Sequence, residues 1–247
     1  MFFRLLFISL LLVIPNTQRA NAETASKQAL LMNEAGVSAL KEGLLTKAEE
    51  NFITAIKIDS NYIAAVYNLV GVYIVTKRPK EALDLLIPYI QLDQKNLRLR
   101  TRLGDAYLAN KQVDQAVQNY EFVFRNDPKF AGVPRKLASI YVKQNKIDQA
   151  EELLIEALKT EPEDALLLSS LAKIYLKNNK FPEAIDTAKK AIQQSAKTSS
   201  YQTLGQAYVK IQDYQNATIA YEKALSLNPN NLELQSQLNS IKQISQK

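Results

Sequence analysis

The chain has 247 residues, 47% of them hydrophobic, with 31 Lys and Arg against 25 Asp and Glu and neither histidine nor cysteine. These counts exclude disulfides, Cys–His nucleophile pairs and the usual zinc ligand sets, and the mild basicity does not single out nucleic acid as a partner. The six glycines form no G-x-G-x-x-G or G-x-x-x-x-G-K pattern, so no phosphate-cradling loop is present. Carboxylate or Ser–Lys chemistry stays open but unmarked, and neither catalysis nor a cofactor is expected.

The first element is MFFRLLFISLLLVIPNTQRANAETAS. Arg4 supplies an early positive charge, Leu5 to Ile14 is apolar apart from Ser9, and Pro15 ends the run. Ala20-Asn21-Ala22 then offers small residues at a cleavage site, completing the layout of a secretory signal peptide. The apolar run is about half of the ~20 residues that span a bilayer. Cleavage after Ala22 is expected, which removes Arg4 and Arg19 and lowers the formal charge from +6 to +4. The protein would then be exported, to a periplasm or beyond. Membrane association is expected only if the leader is retained as an anchor. Residues 23–28 read as a loose lead-in.

From there the chain is periodic. Ala48, Ala82, Ala116, Ala150 and Ala184 stand 34 residues apart, and Ala217 follows after 33. Tyr73, Tyr107, Tyr141, Tyr175 and Tyr208 keep the same spacing, including the shortened interval. The period divides the chain into units 29–62, 63–96, 97–130, 131–164, 165–197 and 198–231, followed by a polar, leucine-bearing segment 232–247 that suits a capping helix. Each unit reads as two amphipathic helices around a polar break such as Asn110-Lys111-Gln112. Pro128, Pro162 and Pro229 close their units, while Pro79, Pro134 and Pro182 sit near helix starts, where proline is accepted. Pro88 lies deep in a helix, removes the bond to the Asp84 carbonyl and predicts a kink. The stretch LRLRTRL, Leu97 to Leu103, alternates like a strand, but the repeat register makes it the opening of a helix. Asn216-Ala217-Thr218 matches a glycosylation sequon, yet falls in a helix expected to be packed.

The sixth unit carries Tyr201, Leu204-Gly205, Tyr208, Ala217, Tyr221, Ala224 and Pro229. The third carries Leu103-Gly104, Tyr107, Ala116, Tyr120 and Pro128, and the fourth Leu137-Ala138, Tyr141, Ala150, Ala157 and Pro162. In these residues the chain resembles the tetratricopeptide repeat (TPR) family over residues 29 to about 231. The resemblance implies an all-α solenoid of about six helix-turn-helix repeats with a C-terminal capping helix. Its motif residues are packing residues and carry no chemistry. In Tyr89 the second unit has a large residue where the family has alanine.

The resemblance also implies that first helices line a concave groove in which bound peptides lie. On that register the groove takes Leu30, Asn33, Val37 and Lys41, then Tyr67, Asn68, Gly71 and Val75, then Arg98, Arg102, Asp105 and Ala109. It continues with Arg135, Lys136, Ser139 and Lys143, then Ser169, Lys173 and Lys177, and last Gln202, Gln206 and Lys210. Of these, Asn33, Val37, Tyr67, Asn68, Arg98, Arg102, Arg135, Lys136, Lys173 and Lys177 are the candidate binding residues. The groove would be largely uncharged at its N-terminal end and basic from the third repeat onward.

Family members that clamp a C-terminal carboxylate use Lys and Asn, then Asn, then Lys and Arg from three successive repeats. Asn68, Arg98 and Arg102 match the last three places, with Arg for Lys, whereas Asn33 and Val37 stand where Lys and Asn belong. The match is therefore incomplete. Simpler explanations compete: Arg102 and Asp105 can pair along one helix, and Lys41, Lys143, Lys177 and Lys210 sit at helix C-termini, where the dipole favours cations. Arg98 and Arg102, in a first half-helix, gain nothing from the dipole. Arg100 points elsewhere, into a place the family fills with an apolar residue. The expected function is a non-catalytic, exported scaffold that holds a protein or peptide segment, acidic or C-terminal, in envelope assembly or complex biogenesis. A membrane-anchored assembly factor and an envelope enzyme or polysaccharide-binding module are the alternatives.

Overall fold

The computed structural model describes residues 16–244, with side chains from Glu23 onward. The leader expected over residues 1–22 and its cleavage site lie outside the residues described with side chains. Among the described residues the chain is all-helical, with thirteen helices and no strand. In order they are α1 (Asn16–Lys41), α2 (Leu45–Ile58), α3 (Ile63–Val75), α4 (Pro79–Leu92), α5 (Leu97–Ala109) and α6 (Val113–Asn126). There follow α7 (Val133–Lys143), α8 (Ile147–Thr160), α9 (Ala165–Lys177), α10 (Phe181–Gln194), α11 (Thr198–Lys210), α12 (Tyr214–Leu227) and α13 (Leu232–Ile244). Helices α1–α5 form one compact unit and α6–α13 a second, the division falling in the turn of the third repeat.

The two ladders have separate physical roles. Every alanine of the first, Ala48, Ala82, Ala116, Ala150, Ala184 and Ala217, is fully buried. A side chain of that size lets neighbouring helices approach closely. The tyrosine ladder marks the turns through its backbone. The carbonyls of Tyr73, Tyr107, Tyr141, Tyr175 and Tyr208 accept bonds from the amides of Arg78, Gln112, Lys146, Lys180 and Asp213 at 2.7–2.9 Å. This six-to-one bond is the signature of a Schellman turn. It requires a left-handed residue one step earlier, found at Lys77, Lys111, Asn145, Asn179 and Gln212 with φ between 59° and 62°. Only the first repeat uses glycine there, Gly43 with φ 76°.

LRLRTRL is helical, as the register requires. Asn96 caps α5 by accepting from the Leu99 amide at 3.1 Å, and Leu99 and Leu103 are buried one turn apart. In the first unit Val66, Val70, Leu86 and Leu99 make one part of the core, and Phe52, Leu69 and Val72 another. In the second unit α13 places Leu234, Leu238 and Ile241 against Leu204, Tyr208 and Tyr221, closing the end of the stack. Two charged clamps join successive repeats at equivalent places. Arg78 pairs with Glu49 at 2.7 Å across the first unit, and Lys180 with Glu151 at 2.6 Å across the second.

Two expectations change. Residues 23–28 are not a loose lead-in, because α1 runs through them from Asn16. At Pro88, where the sequence predicts a kink, α4 remains one helix and continues to Leu92, with the proline on the exposed side and Tyr89 packed against the core. Asn216 is exposed in the first turn of α12 rather than packed, and its amide group donates to Asp213 at 2.7 Å.

Candidate functional site

The first helices of the first unit, α1, α3 and α5, bring the polar candidates together in pairs. Asn68 Nδ2 donates to Asn33 Oδ1 at 2.8 Å, and Asn33 is buried by the contact. The Arg102 guanidinium sits over the Tyr67 ring, 3.9 Å from its centroid, and pairs with Asp105 at 3.5 Å. A planar guanidinium above an aromatic face gains both cation–π attraction and stacking. Gly71, one turn beyond Tyr67, makes the room: a Cβ there would lie 3.3 Å from an Arg102 terminal nitrogen. Arg102 Nε is buried without a hydrogen-bond partner. Arg98 is exposed one turn earlier, and Val37 is half-buried against the core around Phe52.

The incomplete clamp is thus distributed over separate contacts. Asn68 is held by Asn33, and Arg102 by Tyr67 and Asp105. Arg100, set apart from the other arginines, donates from Nε to the Gln94 carbonyl at 2.9 Å.

The second unit is organised differently. Helices α7 and α9 enclose a furrow of about 310 Å³. Each helix contributes residues at i, i+3, i+4 and i+7: Arg135, Ala138, Ser139 and Val142 from α7, and Ser170, Lys173, Ile174 and Lys177 from α9. That spacing is one face of a helix over two turns, about 10 Å of length. Arg135, Lys173 and Lys177 are exposed along its walls, no carboxylate lines it, and none of the three forms an ion pair among the described residues. Ala138, Val142 and Ile174 supply apolar surface between them. Lys173 and Lys177 are like charges one turn apart, an arrangement that disfavours the helix by about 0.2–0.5 kcal/mol and that a bound anion would relieve.

Two positions differ from the wheel. Ser169 does not face the furrow; it is buried and accepts from Ser200 Oγ at 3.1 Å, between α9 and α11. Ser170 takes its place. Lys136 is partly buried, with its ammonium 5.7 Å from the centroid of the Tyr120 ring on α6. Ala138, Val142, Ser170 and Ile174 were not among the candidates. The matching i, i+3, i+4, i+7 pattern around Arg135 and Lys173 is the signal in the sequence that would have found them.

Residues 135–198 and 198–231 match sequence profiles of the tetratricopeptide repeat. No curated protein matches the sequence. Among solved structures the chain is similar to PilF of Pseudomonas aeruginosa, with 19% identity and a TM-score of 0.71 over 90% of this chain and 99% of that one. It is similar to the Cut9–Hcn1 hetero-tetramer of the APC/C, with 13% identity and a TM-score of 0.69 over 90% of this chain and 44% of that one. YrrB, a TPR protein with an unusual peptide-binding site, gives 16% identity and a TM-score of 0.58 over 75% of this chain and 96% of that one. At such identities the likeness is one of fold. Residues 135–231 carry tetratricopeptide repeats, and the chain folds as an all-α, TPR-like solenoid.

Proposed function

We propose that this protein is a scaffold that holds a segment of a partner protein on the faces of its first helices. The observation that carries the reading is the furrow between α7 and α9, where exposed cations without an ion pair flank apolar surface. A stable surface generally pairs or disperses such charges, and their concentration around a concavity favours a ligand. The fold supports it too, since the structural neighbour YrrB is a TPR protein with a peptide-binding site. The layout of residues 1–22 supports a scaffold exported from the cytoplasm, with a role in assembling an envelope complex; retention of the leader would make it a membrane-anchored assembly factor.

A photo-crosslinker at exposed Ser139 in the furrow and another at exposed Val75 in the first unit test the reading in native envelopes. Peptide identification should return one recurrent partner from at least one site. Recovery of no protein from either position would sink it. Mass spectrometry of the purified protein tests export separately: an N-terminus at Glu23 supports it, and a retained leader supports the anchored form.

A further inference from the structure

Resting on that reading, we infer that the α7–α9 furrow takes an extended acidic–apolar–acidic triplet from within a partner chain, not a C-terminal carboxylate. The geometry of the cations decides between them. Capture of one terminal carboxylate needs several donors converging on two oxygens. Here Lys173 and Lys177 are four residues apart on one wall, about 6 Å along the helix, and Arg135 stands on the other. Alternate side chains of an extended peptide are about 6.6 Å apart on one side of the chain. Acidic residues at i and i+2 therefore match the two lysines, and the intervening residue turns to the opposite wall, over Ala138 and Val142 of α7. The furrow's length of about 10 Å holds three extended residues.

The test uses a fluorescent peptide with a Gly-Ser-Asp-Leu-Glu-Ser-Gly core, acetylated and amidated so that no terminal carboxylate exists. Anisotropy with the purified protein should show saturable binding that weakens at least tenfold between 50 and 500 mM salt. The Asn-Leu-Gln analogue should bind at least tenfold more weakly. The double variant Lys173→Glu/Lys177→Glu should lose tenfold or more, while Lys47→Glu/Lys223→Glu, with the same charge change at exposed positions on second helices away from the groove, should stay within threefold. All four lysines are exposed, and circular dichroism of each variant checks the fold.

Equal losses in the two double variants would reduce the effect to general charge and overturn the proposal. So would binding that appears only with a free C-terminal carboxylate. Self-association of the protein that disappears in Lys173→Glu/Lys177→Glu would assign the furrow to a second copy and overturn it as well. Recovery of a partner by the Ser139 or Val75 crosslinker, with no peptide binding, removes this inference and leaves the scaffold reading in place.

Discussion

Arg102 of α5 rests on the ring of Tyr67 of α3, its guanidinium carbon 3.9 Å from the ring centroid, and so links two successive repeats. With Asp105 beside it, the arginine is a structural element of the first unit as well as a surface charge. Arg102→Met and Tyr67→Leu should each destabilise the protein by about 1 kcal/mol, with a coupling energy of about 0.5–1 kcal/mol in a double-mutant cycle. Arg98→Met, at an exposed position, should stay within about 0.5 kcal/mol of the parent. Urea unfolding measures all four; additive single-variant losses would show that the stack contributes nothing.

The close approach of paired helices gives a second expectation. A Cβ at Gly36 would lie 2.5 Å from the Phe52 ring, and one at Gly205 would lie 2.8 Å from the Tyr221 ring. Overpacking of this kind costs about 1–3 kcal/mol, from which alanine's better helix propensity subtracts up to about 1 kcal/mol. Gly36→Ala should therefore lower the thermal midpoint. In a Phe52→Leu background, where the ring is gone, the same change should be neutral or stabilising. A loss of equal size in both backgrounds would contradict the packing argument.

The turns provide a third. Lys77 holds a left-handed backbone that strains an L-residue by about 1–2 kcal/mol, while glycine's extra chain entropy returns about 0.5–1 kcal/mol of that. Lys77→Gly should stabilise by about 0.5 kcal/mol. Gly43→Ala, in open space but at φ 76°, should destabilise by about 1 kcal/mol. Opposite signs for these two substitutions in chemical denaturation are the diagnostic result.

The tyrosines predict the response to alkali. Burial, reinforced by the hydrogen bond from its hydroxyl to Glu121, pushes the Tyr141 phenol well above its ordinary value, and burial pushes Tyr221 up to about 12. Burial also raises Tyr73, Tyr89 and Tyr175. A raised pKa means that the folded state holds protons the unfolded chain releases near pH 10. The stability tied to these protons is fully present below about pH 10 and falls as pH rises through the native pKa values. Urea midpoints should be flat from pH 8 to 9.5 and decline above, with a shallower decline in Tyr141→Phe. Stability that rose through pH 11 would refute the assignment.

What the sequence determined by itself is everything set by short range and by period. The turns depend on bonds closed within six residues, such as that from Arg78 to Tyr73, and on a left-handed residue between them. The helix pairs depend on alanines recurring every 33 or 34 residues, all of which are buried. Pro88 lies on an exposed helix face, where the rest of α4 carries the helix past the lost bond to Leu92. The packing of helix on helix decided which polar residues meet one another and which meet solvent. Asn33 with Asn68, Tyr67 with Arg102 and Ser169 with Ser200 are each more than thirty residues apart. A helical wheel turns about 100° per residue, so it cannot decide whether Ser169 or Ser170 faces the furrow; the approach of α11 to α9 does. The same approach of helices leaves Arg135, Lys173 and Lys177 exposed around apolar surface, because only tertiary packing determines where a cleft stays open.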